Sequence, residues 1–157
     1  MPQARAALRV AEAAAALGLD IRVVELPDSA RTAEEAAAAC GCAVAEIVKS
    51  LVFRGATSGK PVLLLVAGSN RVDEAVVAGP IGEALERMPG KEVREATGFA
   101  IGGIPPFGHA TPLAVFIDED LLAHDRVWAA AGTPHAVFAE APRARAEAVG
   151  ARVIRMG

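Results

Sequence analysis

At 157 residues the chain suits one domain, and a domain of this size buries about 68–70% of its unfolded surface, enough for a core without disulfide staples. Apolar residues make up 53% and charged residues 22%, which excludes a disordered composition, and no apolar run reaches the roughly 18 residues of a membrane span. A net charge of −3 with 4% aromatics excludes a broad duplex-binding face or a stacking channel, so any nucleic-acid contact has to be small and local. In chain order, residues 4–17 carry Leu8, Ala11, Ala15 and Leu17 at helical spacing, with Gly18 as the stop. A β-rich strand over 21–26 ends at Pro27. Thr32 and Glu35 match a capping box, opening a helix that Gly41 closes. A helical turn over 43–46 leads into a strand over 47–53, and a turn over 55–60 into a nearly all-apolar strand over 61–67 that suits a sheet centre.

After a turn at 68–71, residues 72–78 and 81–88 read as helices separated by Gly79-Pro80, and 92–96 as one helical turn. The stretch 97–109 is different. Gly98, Gly102, Gly103, Gly108, Pro105 and Pro106 are interleaved with Phe99, Ile101, Ile104 and Phe107, which makes it apolar yet rigidly punctuated. It reads either as shaped backbone at the rim of a pocket or as a buried turn between strands. A strand over 112–117, a short helix over 118–122, strands over 126–131 and 136–140, a helix over 141–149 and a strand over 152–154 complete the chain. Interspersed strands and helices without a strict βαβ rhythm predict an α+β domain over 1–157, a mixed sheet with helices packed outside it. The start lacks the apolar core of a signal peptide, so the chain is expected to be soluble and cytoplasmic. Cys40 and Cys42 are too close for an unstrained disulfide and read as small residues near a helix end, in keeping with a reducing compartment.

Lys49 shares a strand face with Ile47, Leu51 and Phe53. An ammonium among such neighbours calls for a phosphate, carbonyl or carboxylate partner, unless it snorkels to water at a sheet edge. No two of His109, His124 and His135 have metal-ligand spacing on a helix, and none pairs with a cysteine, so no metal site is expected. His135, fixed by Pro134 in Gly132-Thr133-Pro134-His135, is a general base, a substrate contact or a turn residue without a role. His124 reads as solvent-exposed. Asp118, at a strand end, reads as a helix N-cap or as a site carboxylate. There is no phosphate-binding glycine fingerprint, no P-loop and no Gly-x-Ser-x-Gly elbow.

Three stretches, 48–53, 97–108 and 115–118, carry a resemblance to the YbaK family of aminoacyl-tRNA deacylases, free-standing relatives of the editing domain inserted in bacterial prolyl-tRNA synthetases. The resemblance runs from about Ala33 to the C-terminus and rests on Gly102-x-x-x-Pro106-x-Gly108 together with the upstream strand lysine. It implies that family's curved mixed sheet and the hydrolysis of a mischarged small aminoacyl ester at the CCA end of tRNA, with tRNA(Pro) the favoured carrier. Water is the implied nucleophile, with no metal and no cofactor. Lys49 corresponds to the family's lysine, which holds the terminal phosphate or polarises the ester. Gly102, Gly103, Pro106 and Gly108 correspond to its glycine-proline loop, in which the N–H groups of Gly102 and Gly103 would hold the oxyanion. Ser50, Thr97 and Asp118 fall within the matched stretches as substrate-binding positions, and Thr133 and His135 fall in the variable pocket wall. The implied partners are the aminoacyl-tRNA 3′ end and prolyl-tRNA synthetase, with no membrane. A monomer acting in trans is expected. A non-catalytic module that holds a tRNA end or a nucleotide is the alternative, and the missing Ser/His/Asp arrangement counts against a small-molecule esterase.

Overall fold

In the computed structural model, which describes residues 2–26 and 32–157, the apolar run Pro61–Ala67 (β3) is the strand on which the larger sheet is built. Val62 to Ala67 are all buried, as expected of a strand covered on both faces. β2 (Val48–Gly55) pairs antiparallel along one side, in a register that sets Val48 against Ala67 and Arg54 against Pro61. β5 (Ala114–Asp118) runs parallel along the other side, and β8 (Arg152–Ile154) runs parallel to β5. β4 (Leu85–Arg87) pairs antiparallel with only the last three residues of β2, giving the order β4-β2-β3-β5-β8. A second, antiparallel sheet has the order β1-β7-β6, from β1 (Val23–Glu25), β7 (Ala136–Glu140) and β6 (Val127–Ala130).

Alternation along β3 divides the interior. Leu63, Leu65 and Ala67 face a core shared with Ile117, Phe107 and Phe138, whereas Val62, Leu64 and Val66 face Val77, Phe116 and Met156. Around the sheets lie α1 (Pro2–Ala16), α2 (Ala33–Cys40), α3 (Glu74–Ile81), α4 (Gly90–Thr97) and α5 (Pro142–Val149), with 3-10 turns at Val44–Glu46 and Glu119–Ala123. The expected capping box forms: Thr32 Oγ1 accepts from the Glu35 N–H, and the Glu35 carboxylate accepts from the Thr32 N–H, both at 3.1 Å. Among the described residues no helix is long and apolar enough to cross a membrane. A buried ion pair joins β7 to α5, with Arg145 Nη2 2.8 Å from Glu140 Oε1. Burial pushes the Glu140 carboxyl up to about 7 against the opposing pull of Arg145.

The α+β expectation agrees with this architecture, with strands divided between two sheets. Three local expectations differ. One helix, Glu74–Ile81, replaces the pair over 72–78 and 81–88, with Asp73 capping its start and Pro80 tolerated in its last turn. Gly82, at φ 95°, ends it. Residues 85–87 then form a strand, because the outer edge of β2 supplies backbone partners that outweigh helical propensity. The single turn over 92–96 is the eight-residue α4. The strand over 21–26 is shorter, at Val23–Glu25, and Pro27, its expected stop, lies outside the described residues.

Candidate functional site

β4 covers β2 only over Phe53–Gly55, so, among the described residues, 48–52 keep their outer edge without a paired strand; a parallel bridge, Ile47 to Trp128, lies before it. The Gly68 N–H donates to the Ile47 carbonyl at 2.7 Å, and the Gly55 N–H to the Lys60 carbonyl at 2.9 Å. Hydrogen-bonded pairs alternate in an antiparallel ladder, so odd-numbered residues of β2 exchange bonds with β3. The backbone groups of Ser50 and Val52 are therefore turned toward the open edge.

A cavity of about 250 Å³ lies along that edge. Its walls are Val48 to Leu51 of β2, the facing Trp128 to Ala130 of β6, the β6–β7 turn at Thr133 and Pro134, and Ile101, Gly102 and Ile104 of the glycine-proline segment. That segment is held on several sides. Phe107 packs on Phe138 of β7 with ring centroids 5.6 Å apart, and Arg9 of α1 donates to the Gly98 carbonyl at 3.2 Å while lying over the Phe99 ring. His109 Nε2 sits 2.7 Å from the Pro105 carbonyl, and burial holds its ring below the ordinary histidine range.

Lys49, Ser50, Gly102 and Thr133 therefore meet on one cavity. The Lys49 ammonium donates to the Asn70 carbonyl, and burial holds it below the usual lysine value, reinforced by Arg71 and opposed by Glu34 and Asp118. Ser50 Oγ is buried, with no hydrogen-bond partner among the described residues. Gly102 has φ 95°, a conformation suited to glycine, and its N–H has no partner among the described residues. The Gly103 N–H donates to the Ala100 carbonyl at 3.0 Å, closing a turn just behind the cavity wall.

The remaining expected positions lie elsewhere. Thr97 is fully buried, its hydroxyl accepting from the Phe99 N–H and lying 2.8 Å from the Val93 carbonyl, so it shapes the entry to the segment. Pro106 is buried beside Phe107, and Gly108, at φ 77°, lies against Ala13 of α1. His135 falls between two lining residues, Pro134 and Ala136; its N–H donates to Thr133 Oγ1 at 3.1 Å and its carbonyl accepts from the Leu26 N–H. Asp118 is 1% exposed and caps the 3-10 turn, accepting from the Asp120 N–H at 3.0 Å. It lines a second cavity, of about 330 Å³, with Asn70, Arg71 and Arg155. Sequence reasoning missed Trp128 and Ile47 as cavity residues, although the only tryptophan, on a half-buried strand position, was a usable signal.

A family model described as an aminoacyl-tRNA editing domain matches residues 27–147. The uncharacterized protein YwhH of Bacillus subtilis (strain 168) is 34% identical over 126 residues, which covers 80% of this chain and 79% of YwhH. The proline–tRNA ligase of Limosilactobacillus fermentum is 31% identical over 96 residues, covering 59% of this chain and 17% of the ligase. A crystal structure described as a candidate trans-editing enzyme for prolyl tRNA synthetase is 49% identical and superposes with a TM-score of 0.90, covering 96% of both chains.

Proposed function

The chain belongs to the aminoacyl-tRNA editing-domain family, and from that premise we propose that it is a deacylase acting in trans as one editing unit. Its substrate is a tRNA mischarged with a small amino acid, with tRNA(Pro) as the carrier, and it works as a cytoplasmic monomer alongside prolyl-tRNA synthetase. The observation that carries this reading is the convergence of Lys49, Ser50, Gly102 and Thr133 on one small, largely apolar cavity.

In this reading the aminoacyl ester lies along the open edge of β2. Water attacks the ester carbonyl carbon, and the oxyanion that forms accepts a hydrogen bond from the Gly102 N–H. A fixed donor of this kind is worth about 2.7–4 kcal/mol where it has been removed in other enzymes. The Gly103 N–H is engaged by Ala100, which directs the donor role to Gly102. Lys49 attracts the terminal phosphate or polarises the ester. The bond to the ribose 3′-oxygen then breaks; that oxygen takes a proton from the neighbouring 2′-hydroxyl, which is restored by the proton the attacking water gives up. Trp128 supplies an aromatic face for the terminal adenine, the mode by which single-stranded ends are commonly held. Ile47, Ala129 and Thr133 leave room for a small side chain.

The test is a deacylation panel of tRNA(Pro) charged with alanine, serine or cysteine. Turnover of at least one, abolished by Lys49→Ala with the fold intact, is expected. Saturable binding without release of amino acid from any charged tRNA would replace the hydrolase with a non-catalytic tRNA-end binder.

A further inference from the structure

We propose that Asn70 and Asp118 are positioning residues for the Lys49 ammonium, through a hydrogen-bonded chain linking the second cavity to the first; its bearing on catalysis rests on the role given to Lys49 above. The Asn70 main-chain carbonyl accepts from Lys49 Nζ, and three other contacts fix that carbonyl in place. The Asn70 N–H donates to the Ala67 carbonyl at 2.9 Å, and Asn70 Nδ2 donates to Asp118 Oδ2 at 2.9 Å and to Asp120 Oδ2 at 2.7 Å. Asp118 Oδ2 also accepts from the Ala67 N–H at 3.0 Å, at the end of β3. The carboxylate thus clamps the strand end and the turn after it with one oxygen, and caps the 3-10 turn with the other.

A lysine presents a point charge on a flexible four-carbon stem, so a defined ammonium position needs an external anchor. Here the anchor is a backbone carbonyl in the turn that follows β3, the strand next to β2. Burial weighs most on this ammonium, and charged groups from three neighbouring elements act on it as well. Asp118 of β5 and Glu34 of α2 favour its protonated form, whereas Arg71 of the turn disfavours it, as does burial. Removing the Asp118 charge or loosening the Asn70 turn both withdraw support from the charged form, which moves the titration in one direction.

The experiment follows the Lys49 amine by NMR titration of the full-length chain carrying isotope-labelled lysine, with Lys49→Ala identifying the resonance. Asn70→Ala and Asp118→Asn are compared with the parent, alongside kcat and KM on a mischarged tRNA(Pro). In both variants Lys49 is expected to titrate at lower pH and kcat to fall about tenfold, the scale of one hydrogen bond, with KM little changed. Asn70→Ala lies in a half-buried turn and carries the test if Asp118→Asn does not fold. An unmoved Lys49 titration in folded Asn70→Ala overturns the proposal, whatever happens to kcat. A moved titration with unchanged kcat upholds the positioning and removes Lys49 from the reaction, so the two readings fail separately.

Discussion

The Gly132 N–H donates to the Gly103 carbonyl at 2.9 Å, which ties the glycine-proline segment to the β6–β7 turn by backbone alone. The approach leaves no room for a side chain, because a Cβ on Gly103 would lie 2.6 Å from the Gly132 carbonyl oxygen and 2.7 Å from Thr133 Cα. Neither atom belongs to a side chain that can rotate away. Gly103→Ala is therefore expected to lower unfolding free energy by about 1–3 kcal/mol, as overpacking does. Turnover should fall with it, since the displaced segment carries Gly102. Denaturant unfolding beside deacylation kinetics checks this; full stability in the variant would show that the two backbones can separate at no cost.

What the sequence disclosed depended on how local the cause was. The capping box at Thr32 and the apolar run of β3 follow from neighbours in the chain, and both read directly. Residues 85–87 could not be read that way, because their strand exists only through pairing with β2, which lies far away in sequence. The same holds for the division into two sheets. In the cavity, Lys49 and Gly102 stood out because a charge in an apolar strand and glycines in an apolar segment break their local patterns. Ile47 did not, since an apolar residue lining a cavity carries the same sequence signature as one in a core, and Trp128 was distinctive by type but not by what it faced. Asp118 was legible as a cap, but its hold on Asn70 depends on two strands meeting side by side.

The buried pair Glu140 and Arg145 joins β7 to α5, and its other buried nitrogens and oxygens have no hydrogen-bond partner among the described residues. Removing Arg145 leaves the Glu140 carboxyl unpaired in the core, where it must either stay charged or take up a proton, and both cost stability at neutral pH. Arg145→Leu is expected to cost about 3–5 kcal/mol, while the double variant with Glu140→Leu should recover most of that loss. A double-mutant cycle in denaturant measures both. A double variant as unstable as the single would show that the pair's own attraction, and not the stranded carboxylate, sets the cost.

Burial, with Cys42 nearby, pushes the Cys40 thiol up to about 11, and burial raises Cys42 as well. The thiolate is the reactive form, so at neutral pH less than about one Cys40 in a thousand is ready to react. Alkylation of the folded chain near pH 7.5 should be slow and should accelerate on unfolding. Mass spectrometry after timed iodoacetamide exposure reads this, and rapid labelling of native Cys40 would contradict the packing at the end of α2.

His109 gives the glycine-proline segment a dependence on pH. With a carbonyl opposite, its Nε2 carries the proton and donates to Pro105, while burial holds the ring below its ordinary value of 6.5. Because the folded value is depressed, the unfolded chain takes the proton first as pH falls. The stabilisation from His109 is therefore complete above 6.5 and is lost as pH drops through that value toward the lower folded one. Glu140 acts in the opposite sense: its folded value is raised to about 7, so its contribution is present below its ordinary range and is lost as pH rises through about 7. The two are separated by comparing the parent with His109→Gln, whose amide still donates to the Pro105 carbonyl but does not titrate. Between about pH 7.5 and 5 the parent should lose more thermal stability than the variant. Equal slopes in the two proteins would mean that His109 remains uncharged, or equally solvated, in both states and that the acid response comes from other groups.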